Sequence, residues 1–327
     1  MTAMSAADEC CRWPATLAFD DRAVLRAHRY VLNVVYNDTN KQVLKVLDLP
    51  WTLSALQLGL GLLYIVPLWL VGVRKTPKLK SSDLSNMVPI SIIHALGQCV
   101  TVAALGAGSL AFVNVVKSLE PFFNVVFAAL IMGDVLPWQV NICLLPVVAG
   151  VAIASAADMS FTWDAFAYSM GSNLCFSLRG VASKMKMGKV DPRQNMDAGN
   201  TFAVMTTIAF LAVLPVALFL EGPQMQSAWD RAIATGTFTS ADLVARIFLS
   251  GISFYLYNEV SFYTLGMVHP ITHAVGNTIK RVILILFSVV RFGTPMTTQS
   301  AIGSGVAICG VFAYSVAKEQ MKKVKAQ

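Results

Sequence analysis

Four cations lie within stretches that are otherwise apolar enough to cross a membrane. They are Lys117 in "FVNVVKSLEPFF", Arg179 in "CFSLRGVASK", and the adjacent Lys280 and Arg281 in "AVGNTIKRVILILFSVV". A charge at the centre of a membrane helix costs about 2.5–3.5 kcal/mol on the insertion scale, so such residues usually face a cavity on a substrate path. Arginine binds phosphate or carboxylate through a planar fork, and lysine supplies a point charge. The four residues therefore predict a site for an anion.

Two of these cations have a competing structural interpretation. Lys117 has Glu120 three residues later, and such a pair stabilises an exposed helix by only a few tenths of a kcal/mol. Arg179 could instead extend along its apolar stem toward the basic loop that begins at Lys184. The functional interpretation is favoured for Lys117, whereas both interpretations of Arg179 stay open.

Lys280 and Arg281 have no acid three or four residues away in the sequence. Adjacent helical residues point about 100° apart, so both can border one cavity only if that cavity is broad. Glu259, one predicted span earlier, is an alternative counter-ion for them. Tyr257 precedes Lys280 by 23 residues, which lets neighbouring antiparallel helices present both. Other neutral donors in the predicted spans are Thr101 and Gln98.

The spans that must position these side chains follow from composition. Hydrophobic residues make up 56% of the 327 residues and charged ones 13%, against about a quarter charged in soluble domains. Apolar stretches of roughly twenty residues, the length that crosses a bilayer core as helix, are continuous rather than alternating, which excludes a barrel. We predict an all-α membrane protein with about ten spans, near 28–47, 51–73, 86–106, 109–132, 138–156, 163–184, 200–220, 244–265, 269–291 and 298–318.

The net charge of +7 is explained by membrane topology and does not indicate binding to nucleic acid. With ten spans, the basic segments all fall on one side of the bilayer: the N-terminus with Arg22, Arg26 and Arg29, and the segments 74–80, 184–193 and 318–325. Loops on the opposite side are neutral to acidic. The lysine and arginine bias therefore predicts both termini on the cytosol-like side, with the lipid bilayer as a partner.

Two segments repeat at a constant separation. "GDVLPWQVNICLLPVVAGVAIAS" and "GTPMTTQSAIGSGVAICGVFAYS" align with 293 − 133 = 160 and 310 − 150 = 160. Five spans per half would insert the second copy upside down, the inverted repeat of many secondary transporters. We predict a leader at 1–27 that is poorly ordered, repeats at 28–156 and 163–318, and a basic tail at 319–327. The same offset relates Lys117 to Asn277, one helical turn before Lys280.

The sequence resembles the plastidic phosphate translocators, the triose-phosphate/phosphate exchangers of the drug/metabolite transporter superfamily. The similarity runs from about residue 30 to residue 318. It rests on "HALGQCVTVAALGAGSLAFVNVVKSLEPFF", "LEGPQ", "FYLYNEVSFYTLGMVHPITHAVGNTIKRV" and "GVAICGVFAYS". The string Lys-x-Leu-Glu-Pro-Phe-Phe, the Tyr-Asn pair, and Val-Gly-Asn before Lys-Arg are much more specific than hydropathy.

The resemblance implies an antiporter, without enzymatic activity, cofactor or metal, that exchanges inorganic phosphate one for one with phosphorylated three-carbon metabolites. In that family the matching residues would act as follows. Lys117, Lys280 and Arg281 would clamp the phosphate. Thr101 and Tyr257 would hydrogen-bond the phosphate or the carbon part, and Arg179 would lie at the other end of the substrate.

Two departures from the family pattern leave open which carbon skeleton the substrate has. Triose-phosphate members have a histidine where this chain has Gln98, and their Tyr-Asn-Gln is Tyr257-Asn258-Glu259 here. Triose phosphate, 3-phosphoglycerate and phosphoenolpyruvate all remain as substrates. The closest alternative is a nucleotide-sugar or other organic-anion transporter of the same superfamily.

The expected location is a plastid envelope, including the reduced plastid (apicoplast) of a parasite. A Golgi or endoplasmic reticulum membrane is the alternative. We expect a monomer or weak oligomer.

Overall fold

The computed structural model describes residues 19–187, 194–267 and 270–326, and this part of the chain is all helical apart from its connecting loops. The helices are α1 Phe19–Leu44, α2 Pro50–Leu70, α3 Ser81–Ala107, α4 Leu110–Lys117, α5 Glu120–Met132, α6 Trp138–Asn141, α7 Leu145–Ala156, α8 Trp163–Met187, α9 Ala198–Leu220, α10 Gly222–Ala234, α11 Ser240–Met267, α12 Pro270–Phe292 and α13 Thr298–Ala326. Helix α1 begins inside the predicted leader 1–27, of which residues 1–18 lie outside the described part.

Six segments of the described chain are long and apolar enough to cross a membrane: 50–70, 81–107, 110–132, 138–156, 198–220 and 298–321. They match six of the ten predicted spans. The other four predicted spans overlap α1, α8, α11 and α12, which are more polar because they contain most of the charged side chains described below. An all-helical membrane architecture is therefore confirmed, while the number of ten spans stays a prediction.

Helix pairs bring distant parts of the chain together. Helix α3 packs along α8, α1 along α11, and α12 against α4. Large apolar side chains, including Leu130, Phe219 and Val290, are exposed on the outside of the bundle, which suits a hydrocarbon solvent. Buried polar side chains are numerous between the helices, among them Gln57, Gln98 and Asn173. The bundle therefore has an apolar exterior and polar regions inside.

Helices α7 and α13 approach each other closely through glycines. A Cβ added to Gly150 would lie 2.4 Å from the backbone nitrogen of Ala307, and one added to Gly303 would lie 2.5 Å from the backbone nitrogen of Ala154. Glycine and other small residues allow such backbone contacts between membrane helices. The α7–α13 contact therefore requires residues without a side chain at both positions.

We expect Gly150→Ala to destabilise the protein, because the new methyl group meets backbone atoms that cannot rotate away. Overpacking of this kind costs about 1–3 kcal/mol, which corresponds to a fall in melting temperature of about 2–10 °C. The measurement is thermal unfolding in detergent. Gly305→Ala is the matched control on α13, since a Cβ there has open space. An equal effect of both substitutions would contradict the contact.

Candidate functional site

The centre of the site is a break between α4 and α5. Lys117 ends α4, and Glu120 begins α5. Pro121 has no N–H, so the carbonyl of Lys117 loses its regular helical partner. Asn173 of α8 donates to the carbonyl oxygen of Val116 at 2.9 Å, which satisfies a neighbouring acceptor. A discontinuous membrane helix of this kind is typical of transporter binding sites.

Lys117 is held by hydroxyl groups where α3 crosses α8. Its Nζ donates to Thr101 Oγ1 at 3.1 Å and to Ser172 Oγ at 2.8 Å. The two hydroxyl oxygens lie 2.7 Å apart. The ammonium also lies 4.9 Å from the ring centroid of Phe176. The predicted residues Lys117 and Thr101 are therefore in direct contact.

Arg281 pairs with Glu120 across helices. The guanidinium NH2 donates to Glu120 Oε2 at 2.8 Å, and the partners are 161 residues apart in the sequence. The charges of Lys117, Lys280 and Arg179 also act on Glu120. Glu120 therefore interacts with Lys117, as the intrahelical interpretation has it, but the carboxylate is shared by the whole cation cluster.

Lys280 lies beside Tyr257, as the spacing predicts. Its Nζ donates to the Tyr257 hydroxyl at 3.4 Å and lies 5.3 Å from the ring centroid. The ring of Tyr257 is stacked on Tyr36 of α1, with centroids 6.3 Å apart and an interplanar angle of 13°. Tyr257 is thus fixed between α1 and α12.

Arg179 lies inside the bundle. Its NH1 donates to His94 Nδ1 at 2.9 Å, and its guanidinium carbon is 4.9 Å from the ring centroid of Phe176. Phe176 therefore contacts the cations of both Lys117 and Arg179. The alternative in which Arg179 extends to the basic loop at Lys184 is not the arrangement found.

Gln98 belongs to a buried polar network at the edge of the cluster. Its amide nitrogen donates to the Tyr36 hydroxyl at 3.1 Å and to Gln57 Oε1 at 2.8 Å. Because Tyr36 is stacked on Tyr257, Gln98 supports the site through one intervening ring. Gln98 is therefore connected to the predicted residue Tyr257 through Tyr36. Within the described residues it does not contact a cation of the cluster.

Arg29 is a site residue that sequence reasoning missed. It was grouped with the basic N-terminus, yet it is only 5% exposed and donates from NH2 to Asn277 Oδ1 at 2.5 Å. It interacts electrostatically with Tyr257 and Lys280. The sequence did offer one signal for this contact, because the offset of 160 residues between the repeated segments relates Asn277 to Lys117.

Glu259 is paired elsewhere, and its proposed role as counter-ion of Lys280 and Arg281 is wrong. It forms an ion pair with Arg74, whose NH2 also donates to the Tyr263 hydroxyl at 3.1 Å. Arg74 comes from the loop after α2, 185 residues away, so no local sequence pattern indicated the pair.

We expect Glu259→Gln to lower stability without changing the order of preferred substrates. Breaking a buried ion pair costs about 3–5 kcal/mol because the remaining charge is uncompensated. Thermal unfolding in detergent measures the loss, and the double variant Arg74→Gln/Glu259→Gln should recover most of it. A changed substrate order with unchanged stability would contradict this assignment.

The cluster has a large excess of positive charge. With every group in its ordinary ionisation state, Arg29, Lys117, Arg179, Lys280 and Arg281 supply five positive charges. Glu120 is the acid that interacts with them within the described residues, so the formal charge is 5 − 1 = +4. Burial of unpaired charge is unfavourable. The arrangement therefore suits an anion that carries more than one negative charge.

A cavity of about 260 Å³ lies apart from this cluster, at the C-terminal end of α1. Its lining includes Lys41, Lys45, Ser109 and Thr294. Lys41 donates to the carbonyl oxygens of Leu105 and Gly108 at 2.6 and 2.7 Å, so it serves to cap α3. This cavity is not part of the predicted site.

A polytopic helical bundle with a partly buried, strongly cationic centre suits a carrier for anions. A family model described as the Triose-phosphate Transporter family matches residues 22–315. The chain belongs to this family.

Curated relatives agree with that assignment. A chloroplastic triose phosphate/phosphate translocator of Solanum tuberosum is 38% identical over 299 residues, which cover 91% of this chain and 70% of the relative. The chloroplastic phosphoenolpyruvate/phosphate translocator 1 of Arabidopsis thaliana is 35% identical over 303 residues, covering 92% and 73%. These relatives are named as translocators.

A solved structure has a similar fold. A chain titled "Crystal structure of protein" superposes with a TM-score of 0.55 at 15% identity, covering 93% of this chain and 99% of the other. This likeness concerns the fold alone.

Proposed function

We propose that this protein exchanges inorganic phosphate for phosphorylated three-carbon metabolites across a plastid envelope membrane. The observation that carries the proposal is the partly buried cluster, of formal charge +4, around Lys117, Lys280 and Arg281. The translocator relatives support the substrate class, since their names pair phosphate with triose phosphate or phosphoenolpyruvate.

Each clamp residue has donors suited to phosphate. Two hydroxyl groups hold the ammonium group of Lys117, and the Tyr257 hydroxyl holds that of Lys280. Both groups are therefore already positioned, and phosphate binding costs little further side-chain entropy. Arg281 offers a planar fork, part of which is engaged by Glu120. Thr101 and Tyr257 supply neutral donors, and Arg179 with Gln98 lies on the side of α3. Binding of a dianion would bring the site from +4 to +2, because 4 − 2 = 2.

Two five-helix repeats, at 28–156 and 163–318, best account for the internal geometry. Helix α5 ends at Met132 and α12 ends at Phe292, and 292 − 132 = 160. Gly133 and Gly293, which follow these helices, both have left-handed backbone, with φ of 66° and 59°. Matching helix ends at the offset of the sequence repeat support duplication.

Contacts between the repeats support an inverted arrangement. A Cβ on Gly150 would meet Ala307, and one on Gly310 would meet Val147. Adding 160 to Gly150 gives Gly310, and subtracting 160 from Ala307 gives Val147. The α7–α13 contact thus exchanges its two partners under the offset, as a pseudo-twofold axis requires. Such repeats are the basis of alternating access.

Exchange follows from the charge of the site. Occluding the empty cluster would leave several cations in a low-dielectric space, which is unfavourable by several kcal/mol. A bound dianion offsets much of this cost, so the loaded protein changes conformation and the empty one does not. This is a population shift caused by stronger binding to the occluded state. The bilayer is its environment, and a monomer or weak oligomer is sufficient for the mechanism.

The test is uptake of labelled phosphate into liposomes that contain the purified protein. The liposomes are preloaded with phosphate, dihydroxyacetone phosphate, 3-phosphoglycerate, phosphoenolpyruvate, a nucleoside monophosphate or nothing. We expect uptake with phosphate and with phosphorylated three-carbon compounds. Uptake supported by the nucleotide alone would contradict the proposal and favour a carrier for nucleotide-linked substrates.

A further inference from the structure

The cavity of about 260 Å³ lies at the C-terminal end of α1, opposite the predicted cytosol-like side. Its wall includes Lys41 and Lys45, which are one helical turn apart on α1, together with Leu110 at the start of α4 and Phe292 at the end of α12. Since a water molecule takes up about 30 Å³ of liquid volume, the cavity has room for a phosphate group and several waters. Space for a small ligand therefore exists outside the central cluster.

The ammonium group of Lys41 is fixed against the bundle. Its Nζ donates to the carbonyl oxygens of Leu105 and Gly108 at 2.6 and 2.7 Å, which uses two of its three N–H groups. A lysine near the end of a membrane helix ordinarily extends its stem toward the headgroups instead. The third N–H of Lys41 remains available to a ligand in the cavity that the side chain lines.

No acid neutralises these two lysines within the described residues. Lys45 is the charged group that acts on Lys41, and neither lysine belongs to an ion pair there. Asp158 is connected to the wall through Ser160, which bonds to Ser109, and does not itself line the cavity. Two positive charges that repel each other beside an open space favour an anion between them.

Helices α4 and α12 connect this cavity to the cation cluster. Helix α4 begins at Leu110 in the cavity wall and ends at Lys117, a rise of about 10 Å. Helix α12 packs against α4 and borders both places. The seam between them is closed, because the N–H of Ala111 donates to the buried Ser288 Oγ at 3.1 Å. The cavity is therefore a separate space at the outer end of the same seam.

The charge of the cavity suits a phosphate monoester or free phosphate better than a lipid headgroup. Both offer phosphate oxygens to lysine. A phosphate monoester carries about −1.5 to −2 charges at pH 7, whereas the phosphodiester of a lipid carries one. Two neighbouring ammonium groups match the larger charge.

We propose that the cavity of Lys41 and Lys45 is a second binding site, weaker than the central cluster, for the phosphate group of the substrates. This inference rests on the proposed exchange of phosphate. The outer site would hold a phosphate group at the end of the α4–α12 seam while the seam is closed. The central cluster, with the larger formal charge, fills at lower phosphate concentration.

The experiment is equilibrium dialysis of labelled phosphate against purified protein in a neutral detergent, over a wide range of phosphate concentration. We expect about two phosphates per wild-type protein at saturation. The double variant Lys41→Gln/Lys45→Gln should weaken the second site by about 10-fold or more and leave one phosphate, the tighter. Lys280→Ala should show the complementary result, loss of the tighter phosphate with the weaker one kept.

The matched control is Lys75→Gln/Lys78→Gln, which removes two exposed lysines from the opposite end of the bundle and should keep both phosphates. One phosphate per wild-type protein, or an unchanged second site in Lys41→Gln/Lys45→Gln, would overturn the inference. If that variant does not fold, Lys45→Gln decides the question, because this side chain is exposed and should weaken the second site by about 2- to 5-fold.

A lipid headgroup is distinguished by repeating the dialysis in nanodiscs of phosphatidylcholine with and without phosphatidylglycerol. The second phosphate should bind equally in both. Its loss in the anionic discs alone would assign the cavity to lipid and overturn the inference. Absence of any phosphate binding and exchange by the wild type would overturn the proposed function itself.

Discussion

Lys280→Ala is expected to abolish phosphate exchange in reconstituted liposomes. The substitution removes a partly buried cation from the clamp and frees the Tyr257 hydroxyl that it contacts. Truncating one partner of a buried charged contact costs about 2–5 kcal/mol, equivalent to a loss of about 30-fold to several thousand-fold. Initial rates of labelled phosphate uptake into phosphate-loaded vesicles measure it.

A matched control for this result is Arg291→Ala, because Arg291 ends the same helix near the bundle surface and pairs only loosely with Asp38 at 3.5 Å. It should retain exchange within about 3-fold, since exposed ion pairs contribute about 0–1 kcal/mol. The amount of folded protein in the vesicles must match in both variants. Near-normal exchange by Lys280→Ala would remove this lysine from the site.

Vesicles without an internal counter-substrate are expected to take up phosphate at least about 100-fold more slowly than vesicles loaded with phosphate. Returning empty would require the protein to occlude Lys117, Lys280 and the partly neutralised Arg281 without an anion. Several kcal/mol of uncompensated charge burial gives a rate difference of this size.

The controls for obligate exchange use one preparation of vesicles. Loading with chloride at equal ionic strength in place of phosphate keeps the interior free of a dianion, and dissipating the membrane potential excludes a limit set by charge movement. Equal rates into loaded and empty vesicles would show a uniporter or channel and would contradict the charge argument.

The cations of the candidate site could be singled out because isolated charges stand out against apolar sequence. Lys117, Lys280 and Arg281 needed no structural information, and the motif around Lys117 indicated the family. The ion pairs between helices could not be predicted. Glu120 reaches Arg281 across 161 residues and Glu259 reaches Arg74 across 185. Ion pairs between helices depend on packing, which periodicity within one helix does not determine.

Arg29 shows why topology rules hide site residues. A cation near the start of a span fits the lysine and arginine bias of cytosolic loops, so its sequence position suggested orientation only. Its burial and its contact with Asn277 separate it from that group. The buried polar face of α1, formed with Asn33, Asn37 and Asn40, was present in the sequence at helical spacing, but hydropathy averaged over a whole span conceals one polar side.

The break between α4 and α5 was also hidden from span prediction. A single span at 109–132 was expected, and the apolar segment 110–132 does have the required length. Within it, Pro121 interrupts the helical hydrogen bonds and puts Lys117 and Glu120 at facing helix ends. The motif that identifies the family therefore coincides with the point at which the backbone opens.

An experimental structure of the protein with bound phosphate tests the account most directly. We expect one phosphate within hydrogen-bonding distance of Lys117 Nζ, Lys280 Nζ and the Arg281 guanidinium. Phosphate bound instead in the cavity of Lys41 and Lys45, with the central cluster closed on its own ion pairs, would contradict the central claim.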